Sequence, residues 1–157
     1  MGLQVLEIPK ERLGDIREMW EKNREFHSRT SEYFGYCYEN LDFDSRMRAF
    51  LEMREEDVKI SGGYNEDGKL VGYAMSAIEG SKGELITLYI DEEYRRRNLA
   101  TILCNLHIRW FREKRCKEIV VHVLNNNKGA IEFYGLMGFQ RDILEMRIPL
   151  KESSEQL

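Results

Sequence analysis

A short apolar strand that runs through a charged turn straight into an amphipathic helix constrains this chain more than any other feature. Leu85 to Ile90 is apolar and strand-prone, Asp91 to Arg97 is charged except for Tyr94, and Leu99, Ile102, Leu103, Leu106 and Trp110 then recur on one stripe. The first turn of a helix has unpaired N–H groups and a partial positive charge, so Tyr94-Arg95-Arg96-Arg97-Asn98-Leu99-Ala100 is expected to attract phosphate. Ala100 leaves that turn unobstructed, and Asn98 is one of the few non-glycine residues that accepts a left-handed backbone. The segment suits a diphosphate. On charge alone, Arg95, Arg96 and Arg97 also read as a solvated run paired with Asp91, Glu92 and Glu93; the strand-turn-helix context favours the anion site. No GxxxxGK[ST] or GxGxxG stretch is present, which sets aside a Walker loop and a dinucleotide fingerprint.

The rest of the chain bounds the fold around that segment. Its 157 residues are enough for one domain, expected over 1–150 with a polar tail over 151–157. Hydrophobic residues at 42% and charged residues at 33% exclude a disordered or fibrous chain. No apolar run approaches the roughly 18 residues of a membrane span. The start lacks a basic stretch followed by an apolar one, and Leu6 stands where a myristoylation signal needs Ser or Thr, so a cytoplasmic protein without membrane contact is expected. Cys37, Cys104 and Cys116 have no CxxC spacing, so neither a disulfide framework nor a metal site is indicated. A net charge of -4 gives no global pull toward nucleic acid.

Along the chain, Leu3 to Ile8 reads as a strand closed by Pro9, and a helix follows in which Leu13, Ile16 and Trp20 share a stripe that Asn23 and His27 continue. Thr30 to Asp44 has no period, and a second helix is expected over Ser45 to Glu55. Val58 to Ser61 and Lys69 to Ile78 flank a Gly- and Asn-rich turn, as in an antiparallel hairpin. Glu84 to Ile90 and Ile119 to Leu124 are further strands, Asn127 opens a helix that Gly138 closes, and Phe139 to Leu150 is expected to be a last strand. The order argues for an α+β fold, a mixed sheet with helices on both sides.

The motif Arg95-Arg96-Arg97-Asn98-Leu99-Ala100 resembles the [QR]-x-x-G-x-[GA] acyl-CoA motif of the GCN5-related N-acetyltransferase (GNAT) superfamily. A second family block matches at Asn127, Ala130, Tyr134, Gly138 and Phe139, in the right order after the right elements. Asn98 departs from the motif's glycine, which bears on cofactor affinity more than on fold. The resemblance implies a mostly antiparallel twisted sheet of six to seven strands, splayed between strands 4 and 5 and flanked by about four helices. It also implies an enzyme that moves an acetyl group from acetyl-CoA to a primary amine by direct attack on the thioester.

In that reading coenzyme A lies against the N–H groups around Arg95, Arg96, Arg97, Asn98, Leu99, Ala100 and Thr101, with its pantetheine arm along Leu88, Tyr89 and Ile90 and contacts from Asn127 and Ala130. Tyr134 matches the family tyrosine that protonates the departing thiolate. Glu84, eleven positions before Arg95 (95 − 84 = 11), stands at the offset of the family's glutamate base. His122 in its apolar strand is the competing base, since imidazole exchanges its proton near physiological pH. Glu32, Tyr33, Phe34 and Tyr36, carboxylates beside aromatic faces, are expected to receive the acceptor, a cationic small molecule or a peptide or protein amine. A coenzyme A-binding sensor or interaction module without turnover is the alternative. Homodimerisation through the final strands is compatible with the pattern.

Overall fold

The computed structural model describes residues 2–150; the tail expected over 151–157 lies outside the described residues. A five-stranded sheet forms the centre, in the order β1 (Gln4–Glu7), β2 (Val58–Tyr64), β3 (Leu70–Glu79), β4 (Lys82–Ile90) and β5 (Glu118–Val121). The first four strands are antiparallel neighbours, and β5 joins β4 in parallel after a helical crossover. Between β1 and β2 lie a 3-10 segment (Lys10–Ile16), α1 (Arg17–Thr30), the four-residue α2 (Tyr36–Glu39) and α3 (Phe43–Glu52). α4 (Leu99–Glu113) links β4 to β5, and α5 (Lys128–Leu136) follows β5.

Because helices cover both faces, β3 is buried from Val71 to Ile78 and reads as a nearly continuous apolar run. Its side chains still alternate. Tyr73 and Met75 join Ile16, Met19, Trp20, Phe43 and Met47 beneath α1 and α3, whereas Ala74 joins Leu85, Leu99, Leu103 and Cys104 beneath α4.

α4 sits very close to the sheet at both ends. A Cβ on Gly63 would come within 2.7 Å of the Leu99 side chain, and one on Gly83 within 2.4 Å of the Phe111 ring. Gly83→Val is therefore expected to destabilise the fold by about 1–3 kcal/mol through overpacking. Chemical denaturation measures it, and an unchanged midpoint would mean that the helix seats elsewhere. Between those ends the fully buried His107 ring bridges Ser76 Oγ at 2.7 Å and Ser61 Oγ at 3.0 Å, tying α4 to β3 and β2. Ser61 Oγ also donates to Glu7 on β1 at 3.2 Å.

Two expectations need correction. The sheet has five strands among the described residues, not six to seven. Phe139 to Leu150 is not a strand: after the bond from Phe139 N–H to Tyr134 O, no main-chain bond involves this segment among the described residues. Its alternating apolar pattern records which side chains seek cover; a ladder also needs a neighbouring strand, and none pairs with it among the described residues. The region expected to lack period, Thr30 to Asp44, contains the single turn of α2.

Candidate active site

The β4–β5 ladder runs only from Lys82↔Glu118 to Leu85↔Val121. Beyond it the strands part, and a bulge at Ile86 shifts the β3–β4 register between Met75 and Ser76. From Ile86 to Ile90 one edge of β4 has no partner strand among the described residues, so alternate amides and carbonyls of that edge face an open gap. Leu88 and Ile90 turn toward α4 and Tyr89 toward α1.

At the upper end of β4 the chain makes a 3-10 turn (Glu92–Tyr94) and enters α4. Arg96 at φ 65° and Asn98 at φ 63° both adopt the left-handed conformation, which turns successive N–H groups toward one side. From Arg96 to Thr101, six consecutive main-chain N–H groups have no acceptor among the described residues. N–H groups arranged in this way at a helix N-terminus are suited to receive an anion. The three arginines do not pair with the neighbouring carboxylates among the described residues. Asp91 instead takes Lys22 of α1 at 3.0 Å, and that hydrogen bond raises the Lys22 pKa.

The arginines also diverge in role. Arg95 donates from Nε to Ile90 O at 3.0 Å, with its guanidinium facing the rings of Tyr89 and Phe26 at 5.4 Å and 5.9 Å. It braces the turn against α1. Arg97 lies over the Tyr94 ring at 5.1 Å, and both Arg96 and Arg97 are exposed. Leu99 is buried under the turn, and Ala100 is half-buried beside it.

On the α4 side of the gap, Asn127 caps α5 by accepting from Ala130 N–H at 3.2 Å. Tyr134, on the same helix, packs edge-on against Phe133 at 5.1 Å and Phe139 at 5.6 Å. Its hydroxyl has no hydrogen-bond partner among the described residues, yet it is not sealed off. Burial pushes the Tyr134 phenol pKa up, with a smaller contribution from Cys104. The proton therefore stays on at neutral pH.

The two candidate bases meet. Glu84, opposite Val120 at the closed end of the splay, has its carboxylate 3.9 Å from His122 Nδ1; the side chains are 37% and 80% exposed respectively. On the α1 face, next to the bulge, a cleft of about 100 Å³ is lined by Trp20, Asn23, His27, Tyr38, Ile86 and Thr87. Asn23 donates to Thr87 Oγ1 at 3.1 Å, and Tyr73 OH lies 2.6 Å from the same oxygen. Burial lowers the His27 pKa, so that ring is neutral in the cleft at physiological pH.

Glu32, Tyr33, Phe34 and Tyr36 do not line this cleft. Tyr33 and Tyr36 are exposed, as is Glu32, and Phe34 lies under the Arg147 guanidinium at 5.6 Å. Asn23, Thr87 and Tyr73 lie in no motif that marks them as site residues. Asn23 did leave a trace, as a polar residue on the apolar stripe Leu13, Ile16, Trp20. Thr87 left none, because the bulge that aims it is not written in residue types.

The model of the Acetyltransferase (GNAT) family matches residues 16–139. The chain belongs to that family. It is similar to an uncharacterised N-acetyltransferase of Methanocaldococcus jannaschii, 27% identical over 146 residues, covering 87% of this chain and 60% of that protein. The chain thus spans about three fifths of that relative's length. Among solved structures, a mutant protein of Bacillus halodurans has a TM-score of 0.75 at 16% identity, with 94% of this chain and 99% of that one covered. The PaiA N-acetyltransferase of Thermoplasma acidophilum in complex with coenzyme A has a TM-score of 0.69 at 21% identity, with 92% and 94% covered. At these identities the likeness is one of fold. Among the described residues no helix is long and apolar enough to cross a membrane.

Proposed function

We propose that this protein is an acyl-CoA-dependent N-acetyltransferase that binds acetyl-CoA and acylates a primary amine by direct attack on the thioester. The observation that carries this is the run of six unpaired N–H groups from Arg96 to Thr101, opening onto the unpartnered edge of β4. The cradle matches a diphosphate in charge and donor number, and the free edge offers hydrogen bonds to an amide-bearing arm. A relative of the same fold holding coenzyme A supports the assignment.

Amine attack requires loss of a proton, since a primary amine is mostly protonated at neutral pH. Glu84 takes that proton, and His122, 3.9 Å away and more exposed, hands it to solvent. Asn23, Thr87 and Tyr73 orient the acceptor at the bulge, where N–H groups of the β4 edge stabilise the developing oxyanion. The acceptor amine enters through the cleft beneath α1, with Trp20 and Tyr38 as apolar walls. That places it deeper than Glu32, Tyr33, Phe34 and Tyr36, which would contact only the outer part of a long acceptor.

Calorimetry with acetyl-CoA and thiol release with a panel of small amines and peptides test the proposal. Binding and release are expected. Absence of binding overturns the proposal, and binding without release from any amine would make the chain a coenzyme A-binding module. Glu84→Gln is expected to lower turnover by about 10²-fold, more than His122→Gln does; the reverse order would make the imidazole the base.

Asn98 gives a test of the cradle itself. Asn98→Gly should leave acetyl-CoA affinity unchanged or tighter, because glycine holds φ 63° without strain. Asn98→Val should weaken it by about 5- to 30-fold, the equivalent of about 1–2 kcal/mol for forcing a β-branched residue into the left-handed region. Equal affinities for the two variants would mean that this turn does not hold the ligand.

A further inference from the structure

The cleft beneath α1 has charge of one sign only. Trp20, Leu41, Met47 and Phe50 give it apolar walls, and the charged side chains along it are Arg24 and Arg46. The His27 ring in it is neutral, and no carboxylate lines it among the described residues. Asn23 is buried and Arg46 exposed, so Arg46 stands toward the mouth.

The two arginines are not equivalent. Arg24 is taken up by the fold: its Nε donates to Glu21 Oε2 at 2.8 Å, and its Nη1 to the carbonyls of Tyr38 at 3.3 Å and Glu39 at 3.0 Å. Arg46 bonds only through its main chain, from N–H to Asp42 O at 3.0 Å; its side chain has no hydrogen-bond or ion-pair partner among the described residues. The acids closest to it in sequence are already engaged. Asp44 pairs with Arg17, and Asp42 accepts from the Ser45 N–H and hydroxyl, both at 2.9 Å. The Arg46 guanidinium thus leaves five donors and one full positive charge for whatever enters. Apolar walls strengthen the effect of such a charge on a ligand beside them. A polyamine or a basic peptide would bring a second cation against it and find no acid in the cleft to offset the repulsion.

We infer that the acceptor is an apolar amino acid or a molecule of that type, a primary amine joined through a hydrocarbon body to a carboxylate, and that Arg46 selects it by pairing with the carboxylate while the amine lies toward Asn23 and Thr87. The planar carboxylate fits the guanidinium fork. Its single charge also matches the single free arginine, whereas a phosphate monoester carries nearly two. The inference rests on the proposed acyl transfer and names its acceptor. In the transfer the C–N amide bond forms and the thioester C–S bond breaks; the neutral amine loses one proton and the thiolate takes up one. The carboxylate only binds.

The experiment compares initial rates of thiol release, at saturating acetyl-CoA, across two matched series: leucine, leucinamide and isopentylamine, then ε-aminocaproate, hexylamine and hexanediamine. The series bracket short and long spacings between amine and carboxylate. In at least one of them the acid is expected to have a kcat/KM about 10- to 100-fold above its uncharged or cationic partners. Leucinamide sheds its ammonium proton more readily than leucine, so a preference for the acid would not come from amine basicity. Arg46→Glu is expected to abolish that preference and to favour hexanediamine over ε-aminocaproate, with acetyl-CoA affinity by calorimetry unchanged. Arg46 is exposed, so this variant should keep the circular dichroism spectrum of the unmodified chain; should it fail to fold, the matched series on the unmodified chain still decide the acceptor. Equal or better rates with the acid-free partners in both series overturn the inference and leave acyl transfer standing. A preference for the acid that survives Arg46→Glu overturns the role of Arg46. Thiol release from no amine at all overturns the acyl-transfer reading, and the acceptor with it.

Discussion

Tyr134→Phe is expected to lower turnover by about 10²- to 10³-fold while acetyl-CoA affinity changes by less than about threefold. The two halves of this expectation come from different parts of the side chain. The ring fills the space between Phe133 and Phe139, and phenylalanine keeps that packing. The hydroxyl makes no hydrogen bond among the described residues, so its removal leaves no protein group unsatisfied. Burial holds its pKa above the usual phenol range, so the phenol is protonated at neutral pH and its O–H is available to hydrogen-bond the sulfur as it departs in the proposed reaction. Single-turnover thiol release together with calorimetry separates chemistry from binding. Turnover equal to that of the unmodified chain would take Tyr134 out of the mechanism.

Acid should loosen the fold through His107, which is fully buried between α4 and the sheet. Burial first, then the nearby Lys59 charge, lowers its pKa from 6.5 to about 3. In the folded protein the ring stays neutral between Ser61 and Ser76, while in the unfolded chain it takes a proton below about pH 6.5. The unfolded state then binds more protons, so this contribution is complete above pH 6.5 and is lost as pH falls toward 3. The loss approaches about 1.4 kcal/mol per pH unit in the middle of that window. Carboxylates also titrate on the acid side, so the informative quantity is the difference from a variant. His107→Gln is expected to be about 2–4 kcal/mol less stable at neutral pH, because a buried two-sided bridge is broken. Its stability should also change less between pH 6.5 and 4. Parallel pH profiles for the two proteins would show that His107 carries no acid sensitivity.

What could be read from the sequence was local chemistry. The left-handed tolerance of Asn98 and the cap by Asn127 depend on the residues at those positions, and each has its expected conformation. α4 forms where expected, but its buried face is Leu99, Leu103, Cys104, His107 and Phe111, and Ile102 of the expected stripe is exposed, because the sheet contacts the helix along a line set by packing as well as by hydropathy. The meeting of Glu84 and His122 followed only from the parallel register of β4 and β5, which pairs Glu84 with Val120. The extra residue at Ile86 turns Thr87 under α1 next to Asn23, and no residue type announces it. The last segment shows the opposite failure. Its alternation is as clear as that of β2, but a strand is a relation between two segments, and among the described residues no second one pairs with it.

Lys22 and Asn23 are consecutive, yet they grip β4 at different points, Lys22 holding Asp91 just after the strand and Asn23 holding Thr87 at the bulge. Both bonds hold the middle of α1 against the strand. If an acceptor enters through this cleft as proposed, a bulky one does so by displacing α2, whose single turn is held to α1 through Arg24 bonds to the carbonyls of Tyr38 and Glu39. On the proposed reading, the range of amines admitted is set by how readily that single turn yields, while the long helix behind it stays in place.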